Sequence, residues 1–244
     1  MQSVVKQKSR TAFPEEYANP FSAAYWREAA AQLTDIRIIC IAAILIAVRV
    51  ALKEVKIPIG ENLNITVGFF VNALGAMIFG PVVAVVAAAA SDTLGCALAG
   101  FADYFFPFIF VEIAGSLVFA LFLWRTKLTE TRIILSRFFV SLVCNFIMNP
   151  LILNLQYSLL NNGKSYEFVT LPRIIKNLAL FPAEAFLLVL FLGVMTPALL
   201  KLKLVPKNQK ELVMTRSNYI LLGGLFIVAV VFVLLYVFVY LPNK

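Results

Sequence analysis

Seven long apolar runs constrain this chain more than any other feature. A helix that crosses the hydrocarbon core of a bilayer needs about 20 mainly apolar residues, and most of the runs approach or exceed that length. Hydrophobic residues make up 61% of the chain, and the mean hydropathy is +0.90. The sequence therefore predicts an all-α, polytopic membrane bundle. The runs lie at about 36–53, 64–79, 81–100, 107–124, 133–160, 174–200 and 218–241.

Glycine and proline indicate where these helices turn or bend. The second and third runs are separated by little more than Gly80-Pro81, which ends one helix and begins the next, so they should form a tight hairpin. The fifth run is longer than one span requires and contains Pro150. We therefore expect it to be kinked or broken near that residue.

The first part of the chain is polar, unlike the rest. Asn19 and Pro20 resemble an N-cap followed by a proline at the first helical position, which predicts a short interfacial helix with Tyr25 and Trp26 at the level of the lipid headgroups. We divide the chain into a polar N-terminal segment at 1–34, a six-helix membrane domain at 35–203, a basic linker at 204–217 and an additional transmembrane helix at 218–244.

Basic residues predict how the bundle lies in the membrane. If the N-terminus is cytoplasmic, 14 of the 21 lysines and arginines fall on the cytoplasmic side and 7 on the outside. This two-to-one bias follows the rule that cytoplasmic loops are basic, so we expect the N-terminus inside. The same distribution over several loops explains the net charge of +8 without a nucleic-acid partner.

Several kinds of chemistry are excluded by missing residues. The chain has no histidine, which removes the commonest general base and transition-metal ligand. Its three cysteines lie inside apolar runs without metal-ligand spacing. The glycine-rich motifs that bind nucleotides are absent. We therefore expect no catalytic residues, metal or cofactor, and uphill transport would need energy from another subunit.

Isolated polar side chains inside the apolar runs are the functional candidates, because an ionisable group in a bilayer is costly to bury. Counting about 1.5 Å per helical residue places most of them in the outer half of the bundle. They predict an outward-facing pocket with carboxylate, amide, cationic and aromatic groups. The candidates are Arg49, Asn72, Asp92, Glu112, Asn145, Asn149, Tyr157, Arg173, Lys176, Glu184 and the aromatic residues Tyr104, Phe105 and Phe106.

Each candidate also has a purely structural explanation. A lone asparagine such as Asn72 or Asn145 often joins two helices by a hydrogen bond. Asp92 and Glu112 could be paired internally, for example with Arg49. The basic residues that begin the sixth run could extend to the membrane interface, and the aromatic residues at 104–106 could belong to an interfacial belt.

Several sequence blocks in the same order resemble one known family. The blocks are the run from A-I-L-I-A-V-R-V-A to I-F-G-P-V-V at 43–83, S-D-T-L-G at 91–95, Y-F-F-P-F at 104–108, R-F-F-V-S-L-V-C-N-F-I-M-N-P at 137–150 and P-R-I-I-K-N-L-A-L-F-P-A-E-A at 172–185. The likeness extends over roughly residues 35 to 202. It is to the folate-family substrate-binding (S) components of energy-coupling factor (ECF) vitamin transporters.

The resemblance implies a subunit without enzymatic activity in a bacterial-type plasma membrane. It implies a six-helix bundle that binds a vitamin from outside and docks on a transmembrane coupling protein carrying two ATPase subunits. Ala43 and Ala47 match the family's stripe of small residues used for that docking. The polar N-terminal segment and the seventh apolar run depart from the family pattern.

A folate would suit the predicted pocket. Its pterin edge offers paired donors that Asp92, Glu112 or Asn149 could accept. Its flat rings could stack on Tyr104, Phe106 or Tyr157. Its acidic glutamate tail could bind Arg49, Arg173 or Lys176.

Three other functions stay open at this point. The first is an S component for another heterocyclic vitamin, because stacking and amide groups suit many rings. The second is a membrane-embedded, lipid-modifying enzyme that uses Asp92 and Glu112. The third is a small channel or assembly factor, which would need a polar path through the inner half of the bundle.

Overall fold

A computed structural model describes residues 20–53, 55–60, 63–100, 105–160, 171–206 and 216–235; within these ranges it leaves out the side chains at 56–60, 63–65, 171–176, 216–218 and 235. The described part is a helical bundle, which confirms the predicted fold class. Its helices are α1 (Ala23–Ala31), α2 (Ile36–Leu52), α3 (Gly68–Leu98), α4 (Phe108–Leu123), α5 (Glu130–Val140), α6 (Asn149–Leu160), α7 (Leu171–Lys201) and α8 (Arg216–Leu235).

Helix α1 begins later than the sequence predicted. The Ser22 hydroxyl accepts a hydrogen bond from the backbone N–H of Tyr25 at 3.3 Å, so Ser22 is the N-cap. The predicted position of Pro20 as the first residue of the helix is therefore wrong, because Pro20 lies in a turn before it. Asn19 lies outside the described residues. A 3₁₀ turn, Gln32–Thr34, joins α1 to α2, whose N-cap is Asp35.

A short β-hairpin between α2 and α3 was not predicted. Strand β1 (Lys56–Gly60) pairs antiparallel with β2 (Leu63–Thr66). Ile65 and Thr66 are β-branched, which favours an extended backbone over a helix at this point. The second apolar run therefore becomes helical at Gly68 and not at residue 64.

Helix α3 reverses direction at Gly80, as the sequence predicted. Gly80 has φ +74° and ψ −176°, a conformation that glycine adopts without strain, and Pro81 starts the next helical segment. Two residues at the end of α2, one turn apart, contact α3: Arg49 binds Asn72 and Lys53 binds Asp92. Asn72 and Asp92 are 20 residues apart along α3. A straight helix would separate those two residues by about 30 Å. Segments 68–79 and 81–98 are therefore antiparallel neighbours.

The fifth apolar run is irregular where Pro150 predicted it. An eight-residue π-helix, Ser141–Met148, separates α5 from α6. Pro150 has no N–H to donate to the preceding turn, and a widened turn is one way for a helix to accommodate this loss. The run thus stays helical from Glu130 to Leu160, with a local change of pitch near its middle.

By length and composition, three described helical stretches could cross a bilayer: Gly68–Leu98, Glu130–Leu160 and Asn177–Lys201. The Gly80 reversal divides the first of these into two shorter segments. The interior is packed with apolar side chains such as Met77, Phe119, Leu188 and Leu192, which come from α3, α4 and α7. Helix α8 packs mainly along α7.

Helix α1 is fixed to one end of the bundle. Tyr25 is fully buried, its ring lies 4.8 Å edge-on from the Trp124 ring, and its hydroxyl donates to the Ala120 carbonyl at 3.4 Å. Glu28 forms an ion pair with Arg125. Burial raises the pKa of Tyr25 above its ordinary value, so the phenol remains protonated. Tyr25 therefore packs against Trp124 inside the protein, whereas Trp26 is 37% exposed, and the interfacial position of α1 stays a prediction.

Candidate ligand-binding site

Arg49 is the centre of a polar network that joins three helices. It lies in the last turn of α2, and its guanidinium forms an ion pair with Glu112 of α4. The same guanidinium donates to the Asn72 side-chain oxygen at 3.2 Å and to the Ser116 hydroxyl at 3.3 Å. The Ser116 hydroxyl in turn donates to Asn72 at 2.6 Å. Four side chains from α2, α3 and α4 therefore hold one another in a fixed arrangement.

A second ion pair lies beside this network. The Lys53 ammonium contacts one oxygen of Asp92 at 2.5 Å. Gly95 makes this possible, because a Cβ there would lie 3.3 Å from Cδ of Lys53, close enough to crowd its alkyl chain. Arg49 and Lys53 are four residues apart at the end of α2, so the two ion pairs are neighbours.

The other Asp92 oxygen, Oδ2, is buried and has no hydrogen-bond partner within the described ranges. Buried carboxylate oxygens are normally hydrogen-bonded, since removing one from water without a donor is costly. This oxygen is therefore an acceptor for which the surrounding described residues supply no donor.

Charges in the two pairs are balanced. Arg49 faces Glu112, and Lys53 faces Asp92, which is the internal pairing that the sequence left open as an alternative. About a third of the surface of the Glu112 and Lys53 side chains stays accessible, at 33% and 34%, whereas Asp92 is 6% accessible. The network can thus be reached from outside the bundle on the side of Glu112 and Lys53.

Little space lies next to Arg49 and Asn72 in the direction of Phe79 and the Gly80 turn. A cavity of about 20 Å³ lies there, bordered by Leu45, Phe79 and Ala84. This volume holds roughly one water molecule. Room for a larger group is therefore lacking beside Arg49 and Asn72 in this cavity.

The structure does not bring all predicted ligand-binding residues to this network. Asn149 is half-buried at the start of α6, and Tyr157 is 37% exposed further along that helix. Phe106 is largely exposed and packs edge-on against Phe110, as a belt residue would. Tyr104 lies outside the described residues, as do the side chains of Arg173 and Lys176.

Two asparagines join helices as their structural explanation predicted. Asn72 bridges α2 and α4 through Arg49 and Ser116. Asn145, in the π-helix, donates to the Asn177 side chain of α7 at 3.0 Å. Lys53 and Ser116 were not predicted as members of the site. Lys53 follows Arg49 by four residues, and this spacing was the signal that could have indicated it.

A further buried ion pair, between Arg137 of α5 and Glu184 of α7, was also missed. Both side chains are 7% accessible, and the Arg137 guanidinium lies 4.6 Å from the centre of the Phe69 ring. The sequence predicted Glu184 as a polar candidate inside the bundle but did not predict Arg137 as one. Arg137 lies two turns inside α5, because that helix begins at Glu130.

Small residues on α2 lie at the surface. Ala43 and Ala47 are exposed, and the neighbouring Ile44 and Val48 are exposed as well. An exposed stripe of alanines lets another helix approach closely.

A groove of about 300 Å³ lies between α7 and α8 and is lined by apolar residues such as Phe186 and Phe226.

Known proteins match most of this chain. The family model described as "ECF-type riboflavin transporter, S component" matches residues 34–197. The folate transporter FolT of Clostridium novyi is 27% identical over 123 residues, which are 50% of this chain and 69% of that protein. The folate transporter FolT of Leuconostoc mesenteroides subsp. mesenteroides is 26% identical over 152 residues, which are 62% of this chain and 81% of that protein.

A solved structure agrees with these matches. The crystal structure of FolT bound with folic acid superposes with a TM-score of 0.53 at 29% identity, covering 62% of this chain and 88% of that one. Helices α1 and α8 lie outside the residues that the family model matches. The apolar helices and the match to a transporter subunit together identify a multi-pass membrane protein. The chain belongs to the S-component family of ECF-type transporters.

Proposed function

We propose that this protein is the folate-binding S component of an ATP-driven vitamin uptake transporter. The observation that carries the proposal is the similarity to two folate transporters and to FolT bound with folic acid. The family model matches residues 34–197, a range that includes Arg49, Asp92 and Glu112. The polar network supports it, because preorganised donors and acceptors at a helix interface are what a polar heterocycle needs for tight binding.

The proposed site combines the network with the other predicted residues. Asp92, Glu112 and Asn149 accept hydrogen bonds from the ligand, and Arg49 orients Glu112. Aromatic rings stack on the flat part of the ligand. Cations at the start of α7 bind its acidic tail. The stacking residues are Tyr104, Phe106 and Tyr157, and the tail-binding residues are Arg173 and Lys176.

Orientation follows from the distribution of basic residues. We place the N-terminus in the cytoplasm, so that the end carrying α1, Trp124 and the Gly80 turn is cytoplasmic and the polar network faces the outer half. Residues 35–203 form the vitamin-binding unit in this proposal. Residues 204–217 are a cytoplasmic linker, and α8 is an additional transmembrane helix within 218–244.

Delivery of the vitamin requires a partner. We propose that the α2 surface around Ala43 and Ala47 docks on a transmembrane coupling protein that carries two ATPase subunits. The exposure of both alanines supports this, as does the position of α8 against α7, on which its contacts are concentrated. Leucine at Ala43 and Ala47 should abolish vitamin uptake by the assembled transporter and leave binding to the isolated subunit intact.

Riboflavin is the second candidate ligand, because the matching family model carries that vitamin in its description. Calorimetry on the purified protein in detergent separates the two. One-to-one folate binding in the nanomolar range, with riboflavin unable to compete, supports the proposal. Nanomolar riboflavin binding without folate binding would replace folate with riboflavin, and no binding of either would overturn both.

A further inference from the structure

We infer that helix α1 is a regulatory strap, which holds the end of α4 against the Gly80 reversal of α3 and thereby slows the release of bound vitamin. This inference rests on the proposed function, since it concerns how long the ligand stays in the proposed site. Helix α1 precedes the residues that the family model matches, so the strap is additional to the region on which the proposed function rests.

The first observation is how closely α1 is attached to α3 and α4. Tyr25 and Ala29, on one face of α1, are fully buried. The Tyr25 ring packs edge-on against Trp124, and its hydroxyl donates to the Ala120 carbonyl of α4 at 3.4 Å. Val82, which follows the reversal in α3, packs against the same cluster. One face of a nine-residue helix therefore covers parts of both α3 and α4.

An ion pair provides a second attachment. Glu28 of α1 pairs with Arg125, whose side chain is 5% accessible and whose guanidinium lies 4.8 Å from the centre of the Trp124 ring. Arg125 has φ +50°, a left-handed conformation that is unfavourable for residues with a side chain and persists only where surrounding contacts hold it. If α1 detaches, Arg125 loses this carboxylate. The turn that follows α4 is then able to relax.

Trp124 connects the strap to the ligand site. Its ring lies so close to Gly80 that a Cβ there would come about 2.5 Å from it. Gly80 joins the two antiparallel segments of α3, which carry Asn72 and Asp92. A shift of Trp124 therefore changes how these two segments are positioned relative to each other. A less preorganised site loses its ligand faster, so α1 affects vitamin release from the far end of α3.

The chain contains a probe for the attached state. It has two tryptophans, and Trp124 is 2% exposed. In the full-length Trp26→Phe protein in detergent, tryptophan fluorescence comes from Trp124 alone. Adding Glu28→Lys places a second positive charge beside the buried guanidinium of Arg125, and this repulsion should detach α1. We expect acrylamide to quench Trp124 more strongly in that variant than in its Trp26→Phe parent.

Folate dissociation is measured on the same variants by chasing bound radiolabelled folate with excess unlabelled folate. Glu28→Lys should make dissociation about fivefold faster, since mutations that loosen a site act mainly on the dissociation rate. Adding Arg125→Asn removes the repulsion and supplies a residue that tolerates a left-handed backbone, so quenching and dissociation should both return towards the parent values. Tyr25→Phe keeps the ring on Trp124 and should change dissociation by less than about twofold, because the hydrogen bond that it removes is long.

Leu222→Ala is the matched control for a general loosening of the bundle. Leu222 is buried in α8, a helix that also lies outside the family match but packs mainly along α7. This variant should lower the thermal unfolding temperature and leave folate dissociation unchanged. A strap at the Gly80 reversal predicts this difference between the two helices, whereas a purely structural role of α1 does not.

Failure of this inference and failure of the proposed function give different results. If the wild-type protein binds no folate, the proposed function fails and the regulation of folate release fails with it. If folate binds and Glu28→Lys exposes Trp124 without faster dissociation, or if Leu222→Ala speeds dissociation equally, the proposed function stands and this inference is wrong. It is also wrong if neither Glu28→Lys nor Tyr25→Ala increases the quenching of Trp124.

Discussion

Two groups of ion pairs in the described part of the bundle differ in what surrounds them. Arg137 and Glu184 are both 7% accessible and face each other, with the Phe69 ring covering the guanidinium. Around Arg49, by contrast, Glu112 is 33% accessible and the neighbouring Asp92 has an oxygen without a partner in the described structure. The same kind of ion pair can therefore stabilise the packing of two helices in one place and form part of a binding surface in the other.

The largest expected effect comes from breaking the buried ion pair between Arg137 and Glu184. Glu184→Ala leaves the Arg137 charge buried without its partner, so we expect the free energy of unfolding to fall by about 3–5 kcal/mol. Thermal or denaturant unfolding in detergent measures this. The double variant Arg137→Met, Glu184→Leu should recover most of the loss, because no buried charge remains. Unchanged stability in Glu184→Ala would contradict a fastening role for this pair.

A substitution at Gly80 tests whether the polar network around Arg49 depends on the reversal of α3. Alanine at Gly80 would hold its Cβ at φ +74°, about 2.5 Å from the Trp124 ring. We expect a loss of about 2 kcal/mol or more, together with weaker folate binding, since Asn72 and Asp92 lie on opposite sides of the reversal. Gly193→Ala is the control, because its Cβ would meet no atom within 4 Å. Equal effects of the two variants would remove the special role of Gly80.

Replacing Glu112 or Glu184 by glutamine removes the charge and keeps the shape of the side chain, so it tests the difference between the two ion pairs directly. We expect Glu112→Gln to cost no more than about 1 kcal/mol of stability, because Glu112 is partly solvated, yet to weaken folate binding about tenfold. Glu184→Gln should do the reverse, with a clear loss of stability and little change in affinity. Calorimetry measures the folate affinity of both variants, and thermal unfolding measures their stability. If both variants lost stability and affinity to the same extent, the two ion pairs would not differ in role.

The smallest expected effect concerns two buried serines. The Ser116 hydroxyl links Arg49 to Asn72, so Ser116→Ala should cost about 1 kcal/mol and weaken folate binding roughly two- to fivefold. The Ser136 hydroxyl donates only to the Ile133 carbonyl of its own helix among the contacts described, at 2.7 Å. Ser136→Ala should therefore leave binding unchanged. A loss of affinity in Ser136→Ala as large as that in Ser116→Ala would show that the effect is not specific to the network.

Much of the fold could be predicted because it depends on local physical rules. The lengths of the apolar runs predicted the membrane helices, Gly80-Pro81 predicted the reversal, and Pro150 predicted the irregular helix. Helix boundaries were less accurate, since they depend on competition between neighbouring residues. Ser22 forms the cap in place of Asn19, and the β-branched residues Ile65 and Thr66 belong to a strand in a stretch that was predicted to be helical.

The sequence by itself determined that this is a bundle of membrane helices with costly polar groups inside it, because a bilayer penalises isolated charges wherever they occur along the chain. Only the tertiary structure decided which charges meet. Arg49 and Glu112 are 63 residues apart, and Arg137 and Glu184 are 47 apart. Such partners depend on helix packing and rotation, which hydrophobic patterns do not specify when every face of a helix is apolar. The difference between a closed pair and an accessible one has the same origin.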